Sequence, residues 1–168
     1  NGSRYQGDWH RDVPHGFGEM YEPGGLTYYG GWERGQRQGY GQITAPSGLA
    51  YEGTWDADKR SGYGLESRPD GSSYEGEWSD DRRHGYGVET ASDKTIHEGA
   101  WENNVPLGPG TRVLTTGVSI AGMWNQDFVT AGLIRLPSGL EFAGDLYDAG
   151  NTRVEPPFLR WLIENARK

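Results

Sequence analysis

The chain has 168 residues, of which 33% are hydrophobic, and carries a net charge of −8 with 28 Gly, 7 Trp, 10 Tyr, 4 Phe and no Cys. The absence of cysteine excludes disulfides and thiolate zinc sites and fits an intracellular protein, and the acidic balance argues against nucleic acid or generally anionic membranes as partners. No apolar run approaches the ~20 residues that a membrane-spanning helix needs, so the aromatics must carry most of the burial.

From the start of the chain one pattern recurs every 23 residues. "YQGDWHRDVPHGFGEM" begins at Tyr5, "YYGGWERGQRQGYGQI" at Tyr28, "YEGTWDADKRSGYGLE" at Tyr51 and "YEGEWSDDRRHGYGVE" at Tyr74. Looser copies follow, with His97, Ile120 and Phe142 in place of the tyrosine. The Gly and Trp that follow are Gly7 and Trp9, Gly30 and Trp32, Gly53 and Trp55, Gly76 and Trp78, Gly99 and Trp101, and Gly122 and Trp124; the seventh copy has Gly144 and Leu146. Such self-similarity is the mark of a repeat array, and it makes each of these residues structural before it is anything else.

Each copy reads as a β-hairpin. Tyr-x-Gly-x-Trp alternates with period two, so its three named residues share one face. A polar stretch such as "SDDRR" then supplies the turn, Gly-x-Gly plus a short tail makes the return strand, and "PSG" or "PDG" turns into the next copy. Glycine weakens a strand interior. The expected reason for two per return strand is therefore space, letting Tyr and Trp lie flat on the backbone, so that Val at Gly62 or Gly85 should overpack. The expected fold is all-β: an elongated single-layer ribbon of consecutive 23-residue hairpins over residues 1–150, about seven copies with the last two to three degenerate. Asn1-Gly2 resembles the tail of an earlier "P-x-G" turn, which suggests a fragment of a longer array. At the other end "VEPPFLRWLIENARK" breaks the pattern, and a short capping helix is expected within 154–168, over residues 157–167.

These motifs resemble the MORN repeat (membrane occupation and recognition nexus), whose usual form is Tyr-x-Gly-x-Trp, a charged linker and His-Gly-x-Gly. His15 and His84 supply the family's histidine, which Gln38 and Ser61 replace in the second and third copies. The resemblance implies a non-enzymatic scaffold or protein-interaction module, cytoplasmic and cytoskeleton-associated, in a family that includes axonemal components and junctional membrane proteins. It also raises the alternative of a phosphoinositide-dependent membrane-recruitment module at a membrane–cytoskeleton junction.

No catalytic constellation, metal site or cofactor motif emerges. His15 and His84 occupy equivalent repeat positions, where a hydrogen bond to turn backbone is the expected role, and Gly-x-Gly here lacks the Lys-Ser/Thr and the helix of a phosphate loop. Three surfaces remain as candidates. Phe17, Tyr40, Tyr63 and Tyr86, each inside a Gly-x-Gly or its Phe variant, form an aromatic row on the face opposite the glycines and could line a trough for a partner segment. The linker basics Arg37, Lys59, Arg60, Arg82 and Arg83 stack along the array as a candidate lipid-contact stripe, interrupted by Asp58, Asp80 and Asp81. Leu107, Val113, Val118, Ile120, Met123 and Phe128 mark an apolar shift in the late copies, suited to a homodimer interface. The expected partners are thus a second copy of the chain, other proteins of cytoskeletal or axonemal type and, in the alternative, phosphoinositide.

Overall fold

The computed structural model describes residues 2–145, so the expected capping helix and most of the seventh copy lie outside the described residues. Thirteen strands form one antiparallel sheet in sequence order. They are β1 (Arg4–His10), β2 (Val13–Tyr21), β3 (Thr27–Glu33), β4 (Gln36–Thr44), β5 (Ala50–Asp56), β6 (Lys59–Ser67) and β7 (Ser73–Ser79). The series continues with β8 (Arg82–Thr90), β9 (Ile96–Glu102), β10 (Val105–Val113), β11 (Ser119–Asn125), β12 (Phe128–Arg135) and β13 (Glu141–Asp145). The described residues are all-β, without a helix, and the hairpins follow one another as the 23-residue period dictates.

The turns are shorter than the charged stretches suggest. Within each of the first five hairpins only two residues connect the strands, and both have positive φ, as at Asp80 (50°) and Asp81 (66°). That is the type I′ geometry whose twist matches the flanking strands, and Asp, Asn and Gly tolerate it best. Arg82 and Arg83 therefore already belong to β8, and the expectation of "SDDRR" as one turn is corrected. Between copies, a longer five-residue link such as 45–49 closes on glycine: the Gly48 amide donates to the Ala45 carbonyl at 2.9 Å while Gly48 takes φ +91°.

All the buried aromatics lie on one side. Tyr28, Tyr51 and Tyr74 are almost fully enclosed, together with Trp32, Trp55, Trp78 and Trp101. Each ring meets the next edge-on. Tyr51 contacts Trp55 of its own copy at 5.2 Å and Trp78 of the following copy at 5.4 Å, and the same pair of contacts recurs along the array. Edge-to-face contacts at this spacing are favourable for aromatic quadrupoles. Polar ends are satisfied too: each buried Trp indole donates to the carbonyl of the second Gly of the preceding copy, as Trp78 Nε1 to Gly64 at 3.2 Å. Each Tyr hydroxyl donates to the carbonyl just before its Trp, as Tyr74 to Glu77 at 3.0 Å. Burial pushes the Tyr28 phenol up to about 12, so it stays protonated and donating.

The two glycines of Gly-x-Gly do different work, which corrects the single spatial reason expected for both. The second is the space-maker: a Cβ at Gly87 would stand 2.5 Å from Cζ and 2.6 Å from Cε2 of Tyr74. The first sits in an irregular stretch where the return strand gains two residues against its partner, between Trp78↔Arg83 and Gly76↔Gly87. There Gly85 has φ +60° and Gly62 φ +64°, so backbone conformation selects glycine, and the nearest atoms to a new Cβ are only the movable side chains of Glu77 and Thr54.

Candidate functional site: two faces of one sheet

The repeat basics turn toward the aromatic core. Arg37, Arg60 and Arg83 hold their guanidinium carbons 4.3, 4.0 and 4.5 Å over the Trp ring of the next copy, Trp55, Trp78 and Trp101. Arg60 also donates through Nε to Asp81 Oδ1 at 3.1 Å, through its second terminal nitrogen to the Asp81 carbonyl at 2.9 Å, and to Glu66. Asp81 in turn accepts from the Arg60 amide at 3.0 Å and donates its own amide to the Arg60 carbonyl at 3.1 Å. The same clasp joins Arg37 to Asp58 and Arg83 to Asn104. The charged linker is thus a clasp between neighbouring copies, and it is the turn Asp or Asn, not His15 or His84, that bonds the backbone; both histidines are exposed within strands. Of the five candidate lipid-contact residues, Lys59 and Arg82 stand at the hairpin ends, paired with Asp80 at 2.7 Å and with the Asn103 side chain at 3.0 Å. The Lys59–Asp80 contact holds the Asp80 carboxyl below, and the Lys59 ammonium above, their ordinary values.

The opposite face carries the aromatic row. Phe17, Tyr40, Tyr63 and Tyr86 are 63, 60, 59 and 54% exposed, large apolar surfaces left uncovered along four successive copies. The tyrosine hydroxyls donate across to a carboxylate in the next hairpin: Tyr63 to Glu75 at 2.9 Å, Tyr40 to Glu52 and Tyr86 to Glu98. These carboxylates push the exposed phenols upward in pKa. Glu77 accepts the Tyr86 amide at 2.9 Å and Asp8 the Phe17 amide at 3.1 Å, fixing the backbone on which each ring stands. Glu52, Glu75 and Glu98 were not expected as site residues. Their signal was present in the sequence as an acidic residue between Tyr or His and Gly at the 23-residue period. Beyond Tyr86 the row stops, because Pro109 stands where the next ring would be. A recess of about 600 Å³ opens there, floored by Ala100, Pro109, Ala121 and Ala131 and bordered by Tyr86 and Met123.

The late apolar residues divide. Leu107, Met123 and Phe128 are exposed, Val113 and Ile120 are half-buried, and Val118 is 3% exposed. Val118 therefore belongs to the core and is corrected as a surface candidate.

The fifth copy contains a defect with a measurable consequence. His97 replaces the buried tyrosine, with its ring 5.4 Å from Trp101 and 5.1 Å from Trp124, and both ring nitrogens are buried without a hydrogen-bond partner. Glu89 and Arg112 face it in register from the flanking strands. Burial, reinforced by Arg112 and opposed by Glu89 and Asp127, pushes the imidazole down to about 4. The unfolded chain, with an ordinary histidine near 6.5, binds the proton that the folded chain excludes. Stability from this group is thus complete above about pH 6.5 and is lost as pH falls toward 4, by on the order of 3 kcal/mol at most. Denaturant unfolding of the wild type and of His97→Tyr at pH 7 and pH 5 should show a smaller pH loss in the variant.

A chain whose strands run in sequence order as one sheet, with repeated rings buried on one face and exposed on the other, is a non-globular repeat module of the protein-interaction class. The model of the MORN repeat matches residues 5–26, 28–50, 51–73, 74–96 and 97–119, and the chain belongs to the MORN repeat family. A search of curated proteins finds no match. Among solved structures, the chain is similar to the SAS-4 (dCPAP) TCP domain of Drosophila melanogaster in complex with a proline rich motif of Ana2 (dSTIL). That likeness has 13% identity over 84% of this chain and 96% of that one, with a TM-score of 0.42. It is also similar to the wild-type TCP10 domain of Danio rerio CPAP in complex with a STIL peptide, at 18% identity over 86% of this chain and 75% of that one, with a TM-score of 0.36.

Proposed function

We propose that the chain is a non-enzymatic, cytoskeleton-associated scaffold that holds a segment of another protein in the trough lined by Phe17, Tyr40, Tyr63 and Tyr86. The observation that carries this reading is the exposure of those four rings while the equivalent buried tyrosines complete the core on the other face. The fold does not need the exposed rings for its own packing, and exposed apolar rows on a rigid platform are the usual footing for a partner. A lipid role is less well supported: Arg37, Arg60 and Arg83 already hold Asp58, Asp81 and Asn104 and stack on tryptophans, which leaves little cationic surface for a headgroup. Capture of partners from a cytoskeletal extract by the wild type and by Tyr40→Ala/Tyr63→Ala tests the trough. The variant should melt within a few degrees of the wild type and lose most of the captured protein; full capture by a folded variant contradicts the reading.

Self-association through the late copies is proposed on the exposure of Leu107, Met123 and Phe128 near one end of the described sheet. Absolute mass by light scattering over a concentration series should approach twice 18.6 kDa. Leu107→Asp should return it to the monomer value, and a wild-type monomer at every concentration contradicts the proposal.

A further inference from the structure

We infer that the trough is selective for a cationic segment in polyproline II conformation, with Lys or Arg at every third residue and an apolar residue at one end. This rests on the trough being the partner site and adds the chemistry of its occupant.

Charge is the first support. Glu52, Glu75 and Glu98 are exposed beside Tyr40, Tyr63 and Tyr86, and each accepts a tyrosine hydroxyl while keeping further acceptor sites on its two oxygens. No lysine or arginine stands in β3, β5, β7 or β9. The basics Arg37, Arg60, Arg83 and Arg112 lie over tryptophans of the other face. The trough thus offers, rung after rung, an exposed ring face joined to a carboxylate. A cation above a tyrosine ring and beside a carboxylate is attracted by both, whereas an acidic or neutral segment gains neither.

Spacing is the second support, and it selects the conformation of the occupant. Successive rungs are two strands apart, about 9.6 Å. A polyproline II segment returns the same side to the trough every third residue, at about 9.3 Å. An extended β-segment crossing the strands returns it every second residue, at about 6.7 Å, and runs out of step after one rung. A helix returns it after two turns, at about 10.8 Å, and drifts by more than 1 Å per rung. Beyond the last rung, the recess opens over Ala100, Pro109, Ala121 and Ala131, with Tyr86 and Glu98 of that rung at its border and Ala121 where the next carboxylate would stand, so the residue seated on this floor is apolar and sets the register.

Fluorescence anisotropy with labelled synthetic peptides tests the inference. One peptide carries arginine at every third position among prolines and ends in leucine; a second has glutamate in place of arginine; a third has the arginines at every second position. The first should bind at least tenfold more tightly than either of the others. Its affinity should fall at least tenfold in Glu52→Gln/Glu75→Gln/Glu98→Gln, in which glutamine still accepts the tyrosine hydroxyl. Equal binding of the second or third peptide, unchanged affinity in the triple variant, or no binding of the first overturns the inference. If partner capture in the same preparations still depends on Tyr40 and Tyr63, the trough stands as the partner site and only its assigned occupant falls.

Discussion

Alanine at Gly87 should destabilise the array by about 3 kcal/mol or more, a fall in melting temperature of roughly 6–12 °C. The new Cβ would stand 2.5 Å from Cζ of Tyr74, whose ring is fully buried and fixed by its neighbours Trp78 and Trp101, so the ring has nowhere to retreat. At Gly85, two residues earlier, the cost has another origin. Alanine there pays the left-handed backbone strain of roughly 1–2 kcal/mol, and the Glu77 carboxylate beside it can swing away. Asparagine tolerates that backbone and should recover part of the loss at Gly85, while at Gly87 it should be worse than alanine. Thermal unfolding of the four single variants Gly85→Ala, Gly85→Asn, Gly87→Ala and Gly87→Asn checks this crossover. Asparagine recovering stability at Gly87 would contradict the assignment of space to the second glycine.

The second large effect separates two tyrosines that the sequence presents only 11 residues apart. Tyr74→Ala should cost about 3–5 kcal/mol, because it empties a fully enclosed site and orphans the Glu77 carbonyl. Tyr74→Phe, which loses only the hydroxyl bond, should cost about 1 kcal/mol. Tyr63→Ala should stay within about 1 kcal/mol of the wild type, since its ring is exposed and its one hydroxyl bond goes to Glu75. Chemical denaturation of the three variants at neutral pH gives these values directly. A Tyr63→Ala loss comparable to that of Tyr74→Ala would show that the outer row holds the fold together.

Much of this was legible in the residues themselves. The alternation Tyr51, Gly53, Trp55 against Tyr63 assigned rings to opposite faces, because side-chain direction in a strand follows from parity alone. The 23-residue period likewise gave hairpins in sequence order. What stayed hidden depended on contacts between copies. "SDDRR" reads as one polar turn, yet only Asp80 and Asp81 turn; Arg83 leaves toward Trp101 and Asn104 of the following copy, a destination 21 residues away that local composition does not encode. Gly85 and Gly87 are the same letter, and only the two extra residues in the return strand make one a conformational glycine and the other a spatial one. Val118 looked like interface for a similar reason, since an apolar residue in a degenerate copy does not announce which side it faces.

The turn residues Asp58, Asp81 and Asn104 also tie each copy to the one before it. Each of these residues must occupy the second turn position with positive φ and present an oxygen to the preceding copy's backbone amide, which Asp and Asn do at little cost. Neighbour-to-neighbour contacts of this kind make stability approximately a sum of copy and interface contributions, so damage at one copy should stay local.

The division of labour between the two tyrosine rows is tested most directly by mapping tyrosine nitration with mass spectrometry on the native protein. Tyr40, Tyr63 and Tyr86 should be modified readily, and Tyr28, Tyr51 and Tyr74 should remain protected until the chain unfolds. Reaction at Tyr51 or Tyr74 as fast as at Tyr63 in the folded state would contradict the account.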